Sequence, residues 1–378
     1  MVKVTPVFGE SEISAIKIKV VGVGGGGGKI ISRLLKKATF AGVDFIGIDT
    51  DVQALKACGE ACGMGMRKIQ IGAKITQGIG GAGCDPEKGK FAANEDKEKI
   101  DEVFKDTHIV FLVAGLGGGT GTGASPVVGK SAKDHGALVI GIVTTPFQWE
   151  KKDEQAATGL KNLEKTVDTL ICIPNERLQE IVDRDTPFMQ AFERVDDVVG
   201  NSIAAISDLI NKPAHIMDLD FADIKRVVEN GGKGIVGIGT EKGEKKTVRA
   251  IKAALSDPLL GEHGISQTQR VLVSIIGSQD LTLQDVNEAM ETVQRVSDKV
   301  VFGLSIDEKT EDEVKVTLIA TGIESTGEEK KEPKPIREKE REDLLFDNDE
   351  ENYDLPPALR RKSSVSEPHK TGDLQRDF

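Results

Sequence analysis

Aromatic residues are scarce in this chain of 378 residues, which holds one tryptophan and one tyrosine. Such a sequence has little with which to build a stacking platform for single-stranded nucleic acid. A net charge of −12 points the same way, because a nucleic-acid binder steered by bulk charge carries the opposite sign. Nucleic acid is therefore not an expected partner. Cysteine is equally sparse, with four residues too scattered for a disulfide framework. Cys58 and Cys62 could share a helix face, but no second ligand pair lies near them, so no metal site is expected. No apolar run approaches the roughly 18 residues that span a bilayer, which argues against direct membrane insertion. The start, MVKVTPVFGESEIS, lacks the basic region and apolar run of a secretory signal. These absences together describe a cytoplasmic protein with free thiols.

Glycine is abundant, at 42 residues, and it is concentrated in three places. The first is IKVVGVGGGGGK, from Ile18 to Lys29. It satisfies G-x-G-x-x-G through Gly22, Gly24 and Gly27, after a strand pattern and before a helical one, and Asp49 ends the next strand. That is the dinucleotide fingerprint, which admits a nicotinamide-dependent oxidoreductase. A Walker A loop does not fit, since Val23 stands where its first glycine belongs and Ile30 where its hydroxyl belongs. The second place is GGGTGTG, from Gly117 to Gly123, again between a strand and a helix. Backbone N–H groups and a helix start converge there on an anion, and Thr120 and Thr122 add hydroxyl donors. The third is GIGGAGCDP. A dinucleotide needs only the first loop; three loops can surround a triphosphate. No acid–base pair suited to hydride transfer accompanies them.

The rest of the first half alternates short β-branched runs with helical segments, as in VDFIGIDT, HIVFLVAG, ALVIGIVTTP and DTLICIPN. That alternation predicts an open, doubly wound parallel sheet covered on both faces. From Pro187 it gives way to one long helix, with Phe188, Phe192, Val195, Val199, Ile203, Ile206 and Ile210 on a single face. Strand runs GIVGIGT, RVLVSIIGS, KVVFGLSI and EVKVTLIATGI, with two helices between them, predict a smaller α+β domain. The expected divisions are an N-terminal extension (1–15), a nucleotide-binding domain (16–186), a central helix (187–212) and an α+β domain (213–323). A charged linker too poor in apolar residues to fold (324–350) and a docking peptide with its tail (351–378) follow.

GGGTGTG is the signature of the tubulin/FtsZ superfamily, and the chain resembles the FtsZ division GTPases from about Ile16 to Gly322. Matching segments in family order are IKVVGVGGGGG, DTDVQAL, ITQGIGGAG, PVVGKSAKDHGAL, VTTPFQWE, IPNERL, DLDFADI and TLIATGI. The resemblance implies GTP or GDP as ligand, with Mg2+ held through the phosphates. It implies Gly24, Gly25, Gly26 and Lys29 on the first loop, Asp49 after it, and Ala82 and Gly83 on the third. On the signature loop it implies Gly117, Gly118, Gly119, Thr120, Gly121, Thr122 and Gly123. Glu150 matches the ribose contact, Asn175 lies in the matching IPNERL, Phe192 stacks on guanine and Asp196 reads it. The last pair is chemically coherent: residues four apart share a helix face, and a carboxylate accepts from both N1–H and the 2-amino group of guanine.

Asp220 and Asp223 match the carboxylates with which one FtsZ subunit completes the site of the next. The resemblance thus implies a head-to-tail homopolymer, assembly-activated hydrolysis and a place at the midcell division ring. It also implies that Tyr353–Arg361 docks membrane-tethering and regulatory division proteins. Four positions where the family usually has Asn are Lys29, Asp49, Asp85 and Asp218 here. The family's E-G-x-x-R after the ribose contact is replaced by EKKDEQAATG, about two residues shorter and without arginine. Lys151, Lys152 and Lys29 are the cations left to supply charge, without the planar fork of a guanidinium. That departure motivates an alternative, a nucleotide-binding filament or scaffold protein with weak or no hydrolysis.

Overall fold

A computed structural model describes residues 16–37, 40–58, 65–76, 81–183, 185–211, 215–217, 220–257, 268–295, 297, 299–307 and 311–323. The N-terminal extension, Asp218, Cys62, the linker and the Tyr353–Arg361 peptide lie outside these residues.

The first half alternates as its sequence predicts. The order is β1 (Ile18–Val23), α1 (Gly24–Lys37), β2 (Val43–Asp49), α2 (Val52–Ala57), β3 (Arg67–Gln70), α3 (Pro86–Glu95) and α4 (Lys97–Val103). Then come β4 (Ile109–Gly115), α5 (Gly119–Asp134), β5 (Leu138–Thr145), α6 (Asp153–Glu164), β6 (Thr169–Pro174) and α7 (Leu178–Ile181). Strands β3-β2-β1-β4-β5-β6 lie side by side and all run parallel. Helices cover both faces, so β4 is apolar throughout rather than alternating. Its Ile109, Phe111 and Val113 face one core, with Ile31, Leu34, Val199 and Ile203. Its Val110, Leu112 and Ala114 face the other, with Ile100, Phe104, Val128 and Leu163.

The long helix is α8 (Phe188–Asn211), whose Val195, Val199, Ile203 and Ile206 are buried. After it come β7 (His215–Met217), α9 (Phe221–Val228), β8 (Gly232–Lys242), α10 (Lys246–Leu255), β9 (Arg270–Gly277), α11 (Leu283–Gln294), β10 (Val300–Ile306) and β11 (Glu313–Thr321). These strands do not form a sheet of their own. Thr169, Leu170 and Ile171 of β6 pair with Gly232, Lys233 and Gly234 of β8, so the sheet continues as β8-β11-β9-β10-β7. In this part β11 and β7 run against their neighbours. Its own core joins β9 and β11 to α10 and α11 through Val273, Ile275, Leu318, Ile251 and Val293.

Three short elements have no clear signal in the hydrophobic pattern. β3 and β7 are four and three residues long. α3 buries only Gly89, Ala92 and Ala93, which is no apolar stripe at all. Its start is nevertheless written in the sequence: Asp85 caps it by accepting from the N–H groups of Glu87 (3.0 Å) and Lys88 (3.4 Å), and Pro86 opens the first turn. Capping also accounts for an acid at position 85.

Candidate nucleotide site

Parallel strands deliver all their C-terminal ends to one edge, which is where open α/β sheets hold ligands. Val23 lies level with Ile48 and Ala114, Gly115 with Thr144, and Thr145 with Pro174. The chain therefore brings the starts of α1 and α5, Asp49, the turn ending at Glu150 and Asn175 to the same edge.

The two glycine runs are helix starts rather than loops: α1 begins at Gly24 and α5 at Gly119. Their glycines do two different jobs. A Cβ on Gly27 would stand 2.2 Å from the carbonyl oxygen of Val113, and one on Gly123 would stand 1.8 Å from that of Pro86. A Cβ on Gly121 would stand 2.3 Å from the carbonyl oxygen of Gly115. These residues let α1 and α5 press against backbone. Gly24, at φ +72°, brings the first run within touch of the second, since its Cβ would meet Gly121 N at 2.7 Å. Gly118 and Gly83, by contrast, face open space, and Gly25 meets only an oxygen of Asp49 at 4.0 Å. The open positions are where a ligand can approach the backbone. Gly26 is exposed but lies over the Gly115 Cα at 3.1 Å, and Gly119 abuts the buried Ala82.

Both signature threonines are buried and fasten the edge. Thr122 Oγ1 accepts the N–H of Gly117 at 2.9 Å, closing the turn before α5. Thr120 shares a 2.7 Å hydrogen bond with Thr50 at the end of β2, a partner the sequence gives no sign of. The residue before Thr50 is Asp49, 5% exposed, whose Oδ1 accepts from the N–H groups of Thr50 (2.7 Å) and Asp51 (3.2 Å). Burial pushes its carboxyl above the usual range, against those donors. Lys29 is exposed on α1, one turn beyond Gly25 and Gly26.

Around the turn before α6, Glu150 folds back so that Oε1 accepts the N–H of Phe147 at 3.1 Å, and Oε2 lies 3.5 Å from Lys152 Nζ. The Phe147 ring stacks on the exposed Trp149 at 5.4 Å and meets Phe192 edge-on at 6.2 Å. Asn175 is 8% exposed, and its Oδ1 has no hydrogen-bond partner among the described residues. A buried amide oxygen without a partner is costly, and a ligand donor would relieve it.

Asp196 is buried completely. Its oxygens accept from Arg33 on α1, Nε to Oδ2 at 2.6 Å and Nη2 to Oδ1 at 2.8 Å. Burial still pushes its carboxyl upward, although the guanidinium opposes that. Arg33 was invisible in the sequence because 163 residues separate the pair. Lys37, one turn on, reaches Glu193 at 3.3 Å and Asp197 at 3.5 Å, so α1 is tied to α8 by three ion pairs.

Asp220 and Asp223 lie elsewhere. Asp220 caps α9, accepting the N–H of Asp223 at 2.8 Å, and is exposed. Phe221, between them, meets the His108 ring edge-on at 6.2 Å. His108 immediately precedes β4, so the start of α9 sits at the N-terminal edge of the parallel sheet. The seven residues of β4 separate it from the glycine edge by on the order of 20 Å. These carboxylates do not reach the phosphate loops of their own chain.

Two glycine-built helix starts at the C-terminal edge of a doubly wound sheet define a nucleotide-binding α/β protein. A family model described as Tubulin/FtsZ family, GTPase domain, matches residues 17–183, and one described as FtsZ family, C-terminal domain, matches 232–324. Among solved structures, an empty FtsZ dimer from M. jannaschii is 39% identical at a TM-score of 0.75, covering 83% of this chain and 90% of that one. CetZ2 from Haloferax volcanii, solved as a GTPγS-bound protofilament, shares the fold at 21% identity and a TM-score of 0.67, over 82% of this chain and 94% of its own. CetZ from Methanosaeta thermophila does so at 20% and 0.68, over 81% and 87%. The chain belongs to the tubulin/FtsZ family. Its first half is that family's GTPase domain, which binds GTP and GDP. Among the described residues no helix is long and apolar enough to cross a membrane.

Proposed function

We propose that the chain is an FtsZ-type GTPase that polymerises head to tail and hydrolyses GTP only where two copies meet. One observation carries this reading: the glycine edge and the Asp220–Asp223 pair occupy opposite edges of one sheet. Copies stacked along that direction bring the carboxylates of one to the phosphates held by the next.

The triphosphate lies over Gly25, Gly118 and Gly83, with the starts of α1 and α5 offering N–H donors. Asn175 Oδ1 gains a donor from the nucleoside, and Glu150 takes a ribose hydroxyl. Guanine stacks on Phe192, and Asp196 reads it by exchanging part of its pairing with the Arg33 fork for the N1–H and 2-amino donors of the base. Mg2+ would be held through the phosphates and would supply charge neutralisation there; Asp49, whose Oδ2 lies 4.0 Å from where a Cβ on Gly25 would stand, is a carboxylate of this chain beside the first loop. Asp220 and Asp223 of the incoming copy hold a water in line with the γ-phosphorus and take up its proton. Its oxygen bonds to phosphorus as the β–γ bridge breaks, leaving GDP and phosphate. Loss of the γ-phosphate then weakens the contact that completed the site.

Function at a midcell division ring, with Tyr353–Arg361 docking membrane-tethering and regulatory proteins, completes this reading; the proline pair and basic end of that stretch support it. The test is Asp220→Ala and Asp223→Ala: GTP turnover should fall about a hundredfold or more while GTP affinity stays within twofold. Equal loss of both sinks the interface mechanism. A second reading, assembly without appreciable turnover, is favoured by the lack of arginine after Glu150. It predicts a GTPase rate that does not rise with protein concentration.

A further inference from the structure

We infer that Lys152 is a phosphate-binding cation of the nucleotide site, and that it exchanges a salt bridge with Glu150 for one with the bound phosphates. This rests on the glycine edge being the nucleotide site, and it follows from how the turn before α6 is folded.

Three observations place Lys152 there. Gly117, at φ +97°, opens the signature turn, and a Cβ on it would stand 3.2 Å from the Cβ of Lys152. The stem of Lys152 therefore lies directly on the loop whose backbone faces the anion. Lys151 adopts φ +52°, the left-handed region, and this kink separates two adjacent lysines. Lys151 is left exposed, while Lys152 is half-buried against Gly117. Lastly, Lys152 Nζ lies 3.5 Å from Glu150 Oε2, with its side chain 36% exposed. The ammonium is thus held beside Glu150 while remaining open to solvent. A cleft of about 590 Å³ is lined by Cys84 of the third glycine segment and by residues 150–155, Lys152 among them.

Two other cations on this edge are placed differently. Arg33 has its fork committed to Asp196. Lys29 projects from α1 with no ion pair among the described residues. A lone ammonium beside one carboxylate is weakly held in solvent. A phosphate carrying more charge outcompetes that carboxylate, and Lys152 need only rotate its flexible stem to reach it. The exchange frees Glu150 Oε2 as an acceptor for a ribose hydroxyl. Phosphate and sugar recognition are thereby linked through one side chain.

The test is calorimetric titration of the full chain with GTP, GDP and guanosine, for wild type, Lys152→Gln, Lys152→Arg and Lys151→Gln, with the melting temperature of each recorded. K152Q should weaken GTP about tenfold and GDP less, leave guanosine within twofold, and keep the wild-type melting temperature. K152R should recover most of the loss, and K151Q should bind as wild type. Equal weakening of all three ligands by K152Q, or unchanged GTP affinity, would overturn the inference. A wild-type chain that takes up neither GTP nor GDP would overturn the site itself, and this inference with it.

Discussion

In the parallel part of the sheet, β3 to β6, every strand ends at one edge, and what gathers there is backbone: helix starts, close glycine contacts and open N–H groups. In the mixed part, β8 to β7, strand directions differ and polar groups gather instead around a single side chain. Lys246, 5% exposed at the start of α10, donates to Ser278 (3.1 Å), Asp280 (2.5 Å) and Asp312 (3.1 Å). It thus ties α10 to the turns after β9 and before β11. The hydrogen bond from Lys246, with that from Ser278, holds Asp280 below the usual carboxylate range. One half presents backbone at an open sheet edge; the other uses polar side chains to rivet neighbouring elements together.

Substitutions that break this contrast should differ in size. The largest effect is expected from Arg33→Ala, which strands the fully buried Asp196 and should cost about 3 kcal/mol or more of stability in denaturant unfolding. Next comes Gly123→Ala, whose methyl would overlap the Pro86 carbonyl oxygen at 1.8 Å and push α3 from α5. A loss of about 2–3 kcal/mol is expected. Gly118→Ala sharpens the same point, since its backbone is extended and its surroundings open. It should keep stability within about 0.5 kcal/mol while weakening GTP in a titration. In the mixed half, Lys246→Met should lower the melting temperature by about 2–4 °C and leave nucleotide affinity unchanged.

The smallest effect concerns pH. Burial raises Asp49 in the folded state, so the folded chain holds that proton to higher pH than the unfolded one. Its ionised form is a cost at neutral pH, and wild type gains stability as pH falls through the folded-state value. Asp49→Asn keeps an acceptor for Thr50 and Asp51. It should melt slightly higher at pH 7 and lose that advantage on acidification. A variant that melts lower at pH 7 would contradict this.

Much of this was legible in the sequence. The parallel half follows from apolar strand runs separated by helical periods, and α8 from seven apolar residues on one face. Pairings over long separations were not: Arg33 with Asp196, Thr50 with Thr120, and the continuation of β6 into β8 all join residues that no local pattern connects. Helices built on small residues were also hidden, because α3 and the start of α1 pack by close approach rather than by an apolar stripe. The glycine runs announced a ligand edge, but not which glycines face it. That division between Gly118 and Gly123 depends on what lies across from each.

The central claim, that a site is completed by a second copy, is tested most directly by mixing two variants. One carries Asp220→Ala and Asp223→Ala with intact glycine loops. The other carries a loop substitution that abolishes GTP binding but keeps both carboxylates. Each alone should be nearly inactive, and the mixture should regain GTP hydrolysis, because the second lends its acids to the first. A mixture as inactive as its components would contradict the account.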